Sequence, residues 1–540
     1  MESQNLYKQK EQEREKCSNS IIQSSTKKIV VAAGPGTGKT FLFKSLCQRK
    51  KGKIIVLSFI NELVDDLRRE LGKIAEVKTL HGFARGKLRC KFYIKLTDLI
   101  EEDYSFIYNK EANFKENFEL LKDDNKKLSF YSKRRQFYDH FGPHCSIFAL
   151  LKYFEKYPNK IPKYSQVLID EFQDFNKLEI KLIDILAENN SILIAGDDDQ
   201  SLYSFKKADP REIQQRYKNK NYESFQLPYC SRCTKVLVQA TNDLIEKSKK
   251  RGYLNKRIEK EYKYFDSIEK DRISNKNPKI ILQNCVYQNQ TAYKITKNIE
   301  AISNEEEDFE VLIICPYKKN INNLKIALNK KGFKNIQTPN TAANGVSKRE
   351  AYRILLEDER SNLGWRILIN FILDKRDAQK IIKKSYKTGG SIVDLIEEKN
   401  KKLVLNTLKI LRKVKKEKEL KEKDVNSILD NLDYSLSEIV KDKLKEDIID
   451  NSELNKSFEK IPIRIVTMLG AKGLSSDYVF MVNFDDKFTI DKKRGIDDET
   501  IRKFLVVLTR ARKRLTIMNS GGKIPKLVSW LEGTYYKISQ

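Results

Sequence analysis

The chain of 540 residues carries 105 lysines and arginines against 75 aspartates and glutamates, a formal net charge of +30. Its 40% apolar content is enough to bury several cores and excludes a disordered chain. The basic excess favours a polyanionic partner such as nucleic acid, although a lysine-rich composition alone would also give a solvated basic surface. No stretch resembles a signal peptide or reaches the roughly 18 apolar residues of a membrane span, so a cytoplasmic protein without membrane contact is predicted.

The N-terminal region is polar and typical of a helix, and Gln12 is one of its candidates for contact with an adenine edge. A strand and a glycine-rich turn follow, reading IVVAAGPGTGKT from Ile29 to Thr40. This is the P-loop pattern, with Ala33 in place of its first glycine. Lys39 would reach the β- and γ-phosphates and Thr40 would bind Mg²⁺. The predicted phosphate-binding residues are Gly34, Pro35, Gly36, Thr37, Gly38, Lys39 and Thr40.

Alternating strand and helix patterns over residues 53–71 predict a parallel α/β sheet. From residue 87 to residue 163 these strands disappear, and aromatic and basic residues recur at helical spacing. We interpret this stretch as an inserted helical domain. Its aromatic and basic residues could bind a single strand, or they could form a packed core with a solvated face.

The α/β pattern returns at residues 166–169, directly before Asp170 and Glu171. An acidic pair after a buried strand is what a Mg²⁺-dependent nucleotide hydrolase requires. Asp170 would hold the metal, and Glu171 would orient or deprotonate the attacking water. After the next strand, Gln200 is placed to sense the γ-phosphate. Tyr203 and Phe205, two residues apart, could offer their rings to nucleobases.

Cys230 and Cys233 form a CxxC pattern, but no second pair stands at zinc-ribbon spacing, so no zinc site is predicted. The eight cysteines of the chain are scattered, as is typical of a reducing compartment. Residues 240–308 are predicted to be largely helical and 340–461 helical again, with a basic amphipathic stretch at 399–423. Strands are predicted at 309–316, 463–468, 479–482 and 515–518, and the tail shows no nuclease pattern.

Eight motifs in this order resemble those of the superfamily 1 helicases of the UvrD/PcrA/Rep type. They are GPGTGKT, SFINELVDDL, KTLHGFA, LIDEFQD, GDDDQSLYSF, LPYCSRC, VTMLGAKGL and VLTRARKRL. The resemblance implies an α/β fold of two RecA-like P-loop domains with parallel sheets, each carrying a helical insertion. The implied division is 1–86 (domain 1A), 87–163 (insertion 1B), 164–228 (1A), 229–339 (domain 2A), 340–461 (a reduced insertion 2B) and 462–540 (2A).

The resemblance also implies roles for residues that no local pattern singles out. Arg232 and Arg510 match the two arginines that meet the γ-phosphate from the second domain, so the implied catalytic set is completed by Lys39, Glu171 and Gln200. The positions that match the single-strand track of the family are Phe59, Asn61, His81, Tyr203, Phe205 and Thr467.

Several positions depart from the family pattern. Ser231 replaces an aromatic residue expected against adenine, and Ser475 replaces a glutamate expected at the ribose. Leu469 stands in place of a histidine, and Lys206 in place of an arginine. These departures predict weaker selectivity for the base of the nucleotide.

The activity implied is an ATP- and Mg²⁺-dependent translocase or helicase on single-stranded DNA or a junction of single and double strands, with 3′→5′ polarity. The reduced insertion suggests a separate protein partner, such as a nuclease, in repair or phage defence. Two alternatives stay open on the residues alone. One is a strand-binding or recruiting module with a vestigial ATPase, and the other is a translocase directed to RNA.

Overall fold

The computed structural model describes residues 2–59, 61–89, 96–122, 124–285, 288–339, 347–415, 458, 460–520 and 522–539. Two compact units divide the chain. The larger comprises Met1–Leu80, Tyr157–Asn340 and Glu453–Gln540, and the smaller comprises His81–Lys156 and Thr341–Ser452. The predicted domain boundaries remain predictions, because these units divide the chain differently.

The strands, in chain order, are β1 (Lys28–Ala33), β2 (Ile54–Ser58), β3 (Glu76–Thr79), β4 (Gln166–Ile169), β5 (Ile192–Gly196), β6 (Glu223–Leu227), β7 (Tyr229–Cys230), β8 (Lys263–Tyr264), β9 (Ile280–Asn284), β10 (Val311–Cys315), β11 (Ile336–Gln337), β12 (Ile463–Thr467), β13 (Ser476–Met481), β14 (Ala511–Asn519) and β15 (Tyr536–Ser539). The helices are α1 (Glu2–Gln23), α2 (Lys39–Arg49), α3 (Asn61–Leu71), α4 (Leu80–Leu88), α5 (Leu96–Tyr108), α6 (Phe114–Glu119), α7 (Asn125–Tyr138), α8 (Pro143–Lys156), α9 (Lys177–Asn189), α10 (Arg211–Lys218), α11 (Lys235–Lys250), α12 (Ile268–Lys276), α13 (Gln288–Ser303), α14 (Lys318–Asn329), α15 (Lys348–Glu357), α16 (Asn362–Ile372), α17 (Lys375–Thr388), α18 (Glu398–Lys415), α19 (Asp486–Thr489), α20 (Asp498–Leu508) and α21 (Lys526–Ser529).

The first sheet of the larger unit has the order β3-β2-β4-β5-β1-β6, with every neighbouring pair parallel. Its four central strands, β2, β4, β5 and β1, are short and mostly apolar runs, as expected for a sheet buried on both faces. Because β4, β5 and β1 are neighbours, their carboxyl ends bring the acidic pair, Gln200 and the P-loop to one edge. We call residues 2–80 and 157–227, which build this sheet, the first lobe.

The second sheet has the order β11-β12-β10-β13-β14-β9-β15 and is also parallel. Both of its faces are covered. Leu312 and Ile314 of β10 face one hydrophobic core, while Val311, Ile313 and Cys315 face another. We call residues 229–339 and 458–539 the second lobe. Two parallel sheets with helices on their faces confirm the predicted fold class.

The prediction of a largely helical stretch over residues 240–308 was wrong at β9, which lies inside the second sheet between β14 and β15. The strand carries only three apolar residues within a charged stretch of sequence, which gives a weak local signal. It forms a strand because it pairs with β14 and β15, which lie more than 200 positions away along the chain. The basic stretch 399–423 is helical up to the end of α18, and its remainder lies outside the described residues. Among the described residues, no helix has the length and apolar character needed to cross a bilayer.

The smaller unit is helical and contains α5–α8 and α15–α18. Aromatic residues of its first segment pack on one another: the Phe114 ring lies 5.4 Å from Tyr131, and the Phe118 ring 4.8 Å from Tyr131. All three are nearly fully buried. These residues therefore favour the packed-core interpretation of the aromatic pattern for this part of the insertion.

A buried ion cluster joins the two segments of the smaller unit. Asp103 is fully buried and accepts hydrogen bonds from Arg134 Nε at 2.9 Å, from Arg366 Nε at 2.8 Å and from the hydroxyl of Tyr138. Both arginines are at most 2% exposed. Asp103 thus compensates two buried guanidinium groups, of which Arg366 also pairs with Glu102 at 3.2 Å.

Replacing Asp103 by Asn should destabilise the smaller unit by about 3–5 kcal/mol, because the buried cations Arg134 and Arg366 lose the carboxylate that they share. Urea unfolding can be followed through Trp365, which is buried in α16, in a Trp530→Phe background. The matched control is Asp394→Asn, which removes an exposed pair with Arg360 at 2.7 Å and should cost at most about 1 kcal/mol. Equal effects of the two substitutions would contradict the assignment.

Candidate functional site

The P-loop connects β1 to α2 at the carboxyl edge of the first sheet. Gly36 and Gly38 have φ values of 72° and 97°, the left-handed region that favours glycine. The Thr37 hydroxyl donates to the Gly34 carbonyl at 2.9 Å and closes the turn. The amino end of α2 therefore opens into a cleft of about 780 Å³, an arrangement suited to binding anions.

Lys39 and Glu171 form an ion pair at the bottom of this cleft, with Nζ 3.0 Å from Oε1. Burial lowers the pKa of Lys39, but Glu171 and Asp170 raise it further, so the ammonium group is retained. Burial likewise raises the pKa of Glu171, while Lys39 and Lys472 lower it to about 2. Glu171 has a left-handed φ of 52°, and its second oxygen accepts from Gln173 at 2.6 Å. Its carboxylate is therefore ionised and held in one orientation.

Asp170 differs from its neighbour, because its buried Oδ1 has no hydrogen-bond partner among the described residues. Burial, reinforced by the charge of Glu171, raises the pKa of Asp170 to about 7. Asp170 lines the same cleft as Thr40. An orphaned carboxylate oxygen across from a hydroxyl suits a hard cation, so these two residues fit the ligand set expected for Mg²⁺.

Gln200 joins the two lobes through hydrogen bonds. Its Nε2 donates to Asp197 of the first lobe at 2.8 Å, and its Oε1 accepts from Arg510 Nη2 of the second lobe at 2.8 Å. Arg510 is 1% exposed and also donates to the carbonyls of Val506 and Leu474. Burial, and next the charge of Arg232, lowers the pKa of Arg510 to about 10, which leaves it a cation at neutral pH.

Arg232 comes to the cleft beside the P-loop. A Cβ placed on Gly36 would lie 2.4 Å from the Cβ of Arg232, so only glycine allows this approach. The backbone N–H of Ser231 donates to the Gly36 carbonyl at 3.0 Å, and Tyr262 donates to the Pro35 carbonyl at 3.0 Å. The second lobe therefore holds the P-loop through direct contacts.

Lys472 makes a second bridge between the lobes. Its buried ammonium group lies 2.7 Å from Asp174 and 3.8 Å from Glu171, and it donates to the Gln200 carbonyl. The neighbouring Gly473 has a φ of 81°, and a Cβ there would lie 2.3 Å from Leu63 of the first lobe.

An aromatic cluster extends from this bridge. The Tyr203 ring lies 4.9 Å from Phe59 and 5.7 Å from Phe205, and Lys472 Nζ stands 5.7 Å from the Tyr203 centroid. Phe59 and Tyr203 are each 8% exposed, whereas Phe205 is 57% exposed. Lys206 Nζ lies 4.5–6.0 Å from all three rings. An exposed ring with a cation beside it suits a stacked base and its phosphate.

Residues 145–221 match the model of the UvrD/REP helicase N-terminal domain, and residues 342–521 match that of the UvrD-like helicase C-terminal domain. The first match contains Glu171 and Gln200, and the second contains Lys472 and Arg510. The chain contains regions of both UvrD/REP-type helicase domains.

Individual relatives of this family are distant in sequence. The chain is 25% identical to the ATP-dependent DNA helicase srs2 of Schizosaccharomyces pombe, over 67% of this chain and 47% of that protein. It is 23% identical to the ATP-dependent DNA helicase Rep of Buchnera aphidicola subsp. Schizaphis graminum, over 90% of each. A segment of 59 residues is 36% identical to an ATP-dependent helicase/nuclease subunit of Streptococcus mutans, over 11% of this chain and 5% of that protein. The chain spans about half the length of the S. pombe protein.

The cleft is lined by every predicted nucleotide-binding and catalytic residue except Gln12. Three residues predicted for the single-strand track, Asn61, His81 and Thr467, stay predictions, as does Gln12. Gln12 lies on the exposed side of α1 and is not among the cleft residues. Asn61 begins α3, but its side chain lies outside the described residues. His81, half-buried in α4, belongs to the smaller unit. Thr467 ends β12, where its hydroxyl accepts from the Gly470 N–H at 3.1 Å.

The residues that sequence reasoning missed hold the turn in front of Gln200. Lys260 Nζ of the second lobe lies 2.9, 2.6 and 2.7 Å from carboxylate oxygens of Asp197, Asp198 and Asp199, respectively. Arg257 binds Asp199 with Nε and Nη2. The carboxylates of the three aspartates are close enough together to bind a metal ion. The ammonium group of Lys260 already supplies the positive charge at this position. Lys260 lies in a polar segment without a motif, so only the triple aspartate signalled that a cation was needed.

Replacing Lys260 by Met should reduce ATP hydrolysis about 100-fold, because Asp197 would no longer be fixed and Gln200 depends on it. Lys260→Arg should recover part of the rate. The matched control, Lys263→Met, removes a half-exposed lysine paired with Glu261 and should leave turnover unchanged. Phosphate release measures turnover, and urea unfolding measures the stability of the variant. A loss of turnover without a loss of stability would indicate that Gln200 is mispositioned. Wild-type turnover in Lys260→Met would remove the residue from this role.

Proposed function

We propose that this protein is an ATP-dependent DNA helicase that advances along a single strand as the cleft between its lobes closes and opens. The observation that carries the proposal is the hydrogen bond from Arg510 of the second lobe to Gln200 of the first, in the cleft that contains Lys39. The matches to the two UvrD/REP-type helicase domain models support the same activity.

Each cleft residue has a role that follows from its contacts. The triphosphate would lie on the amides of the P-loop and draw Lys39 from its pair with Glu171. Glu171, ionised and held by Gln173, would then orient the attacking water. Thr40 and Asp170 would hold Mg²⁺, which neutralises phosphate charge when bound.

The two arginines would link hydrolysis to movement. Arg232 and Arg510 belong to the second lobe, so their guanidinium groups reach the transferring phosphoryl group only when the lobes are together. Loss of the γ-phosphate removes the anion that attracts them. Lys472 contacts both Glu171 and the region of Tyr203, and this path would carry the change to the strand.

We propose single-stranded DNA as the track, bound through Phe59, Tyr203 and Phe205, with a 3′→5′ direction taken from the family resemblance. Similarity of a short segment to a helicase/nuclease subunit supports the further proposal of a nuclease partner. A role of that pair in repair or phage defence is proposed from the family resemblance alone. An RNA track would be distinguished by comparing DNA and RNA strands of one sequence.

A second candidate function is a strand-recruiting module with weak hydrolysis. Two departures favour it, since Ser231 and Ser475 line the cleft where the family resemblance leads us to expect an aromatic ring and a carboxylate. Hydrolysis stimulated by a single strand discriminates the two functions, because a recruiting module would show none.

Arg510→Ala should bind ATP normally yet lose hydrolysis by about 1,000-fold or more, because an arginine of this kind acts on the transition state. Binding of a fluorescent ATP analogue and phosphate release on single-stranded DNA measure the two steps. Arg514→Ala is the matched control, since Arg514 lies in β14, stacks on Tyr478 and does not line the cleft. Undiminished hydrolysis in Arg510→Ala would contradict the closure mechanism.

Phe205→Ala should weaken single-strand binding by about 1–3 kcal/mol, the worth of one stacked base. Tyr293→Ala, which removes another half-exposed ring flanked by lysines, is the control and should bind normally. The measurements use a Lys39→Ala background without hydrolysis, at several salt concentrations. Affinity should fall steeply with salt, and a flat response would exclude phosphate neutralisation.

A further inference from the structure

The CxxC pattern that the proposed function leaves unused encloses one of its arginines. Cys230 ends β7, Cys233 directly precedes Thr234, the residue that caps α11, and the residues between the cysteines are Ser231 and Arg232. Both cysteines are free and fully buried. A CxxC pair before a helix is the arrangement of redox-active dithiols.

The two cysteines are in contact with each other and with residues next to the cleft arginines. The Cys233 N–H donates to Cys230 Sγ at 3.4 Å. The hydroxyl of Tyr262 lies 3.1 Å from the same sulfur and shares its proton between this sulfur and the Pro35 carbonyl. Cys233 Sγ donates to the carbonyl of Thr509 at 3.7 Å. Since Thr509 precedes Arg510, the pair touches the backbone of both arginine-bearing segments.

The contacts give the two cysteines different reactivity. Burial raises the pKa of Cys230, but hydrogen bonds from Cys233 and Tyr262 lower it to about 6, which favours the thiolate. The pKa of Cys233 is raised, first by its hydrogen bond to Cys230 and then by burial. One sulfur is thus suited to attack an oxidant and its neighbour to resolve the product.

Metal binding is a weaker explanation for this pair. Two cysteines supply half of a tetrahedral zinc site. Within the described part of the chain, the group of potential ligands close enough to share an ion is Asp197–Asp199, and it does not include either cysteine.

We propose that Cys230 and Cys233 are a site of reversible oxidation by peroxides, at which a disulfide switches off the nucleotide cleft. The inference rests on the proposed function for its effect on hydrolysis, but not for the bond itself.

The chemistry balances with a peroxide as the two-electron oxidant. The Cys230 thiolate attacks one peroxide oxygen, the O–O bond breaks, and protonation of the leaving oxygen gives water and a sulfenic acid. The Cys233 thiol then attacks that sulfur, the S–O bond breaks, and a second water leaves with the thiol proton. A dithiol reductant reverses the reaction by thiol–disulfide exchange.

The disulfide would act on both arginines at once. It closes a short ring around Arg232, whose backbone must then follow the new sulfur–sulfur bond. It also removes the S–H that donates to the Thr509 carbonyl beside Arg510. Both guanidinium groups would lose the positions that close the cleft.

The test exposes the reduced full-length chain to hydrogen peroxide, maps disulfides by mass spectrometry and follows ATP hydrolysis before and after dithiothreitol. We expect a Cys230–Cys233 disulfide and a loss of hydrolysis of about tenfold or more, because each displaced arginine is worth several orders of magnitude. Dithiothreitol should restore the rate. A bound non-hydrolysable ATP analogue should slow oxidation of the pair but not of the half-buried Cys17.

Two variants keep the test decisive. Cys230→Ser/Cys233→Ser should hydrolyse ATP whether or not peroxide is added, whereas Cys47→Ser, which removes another buried thiol on the helix after the P-loop, should respond like the wild type. Failure of the disulfide to form, or its formation without loss of hydrolysis, would overturn the inference. Absence of hydrolysis in the reduced chain would refute the proposed function instead, and disulfide mapping with binding of the ATP analogue would then decide the inference alone.

Discussion

The structure of the nucleotide cleft depends on one constraint: buried charges of the second lobe find their partners on the first. Arg510 meets Gln200, Lys472 meets Asp174, and Lys260 meets the aspartate turn. A buried charge left without its partner costs about 3–5 kcal/mol. Separating any of these groups from its partner would therefore be destabilising unless water could reach it. The same contacts that satisfy these charges also place the catalytic groups, which makes lobe contact and site assembly a single event.

Burial and neighbouring charges give the carboxyl groups in and beside the cleft different preferences for the ionised or the protonated form. Glu171 is kept ionised by two lysines, whereas burial favours the protonated form of Asp170 and Asp174, the latter with its pKa raised to about 7 despite the nearby charge of Lys472. A cation at Asp170 would reverse that preference. The residue that must orient water and the residue that must receive a metal are therefore distinguished by their neighbours, although they are adjacent in the chain.

The sequence predicts the parts of the site that one strand and its following turn create. The P-loop and the acidic pair are local patterns, and Arg232 and Arg510 were identified through the motifs around them. Lys260 could not be predicted, because its partners lie about 60 positions away and no pattern surrounds it. The same holds for the pair of Asp103 and Arg366, which joins segments 263 positions apart. Gln12, exposed on α1 and not among the cleft residues, stays a prediction.

Two glycines let a side chain of one lobe lie directly against the backbone of the other. Gly36 belongs to the first lobe and faces Arg232, while Gly473 belongs to the second and faces Leu63. A single methyl group at either position would act as a wedge, because the atoms it meets belong to the opposite lobe. Each lobe would keep its own hydrophobic core, but the added methyl group would hold the two lobes apart at the cleft. The close approach of the two lobes thus depends on the absence of a Cβ atom at Gly36 and at Gly473.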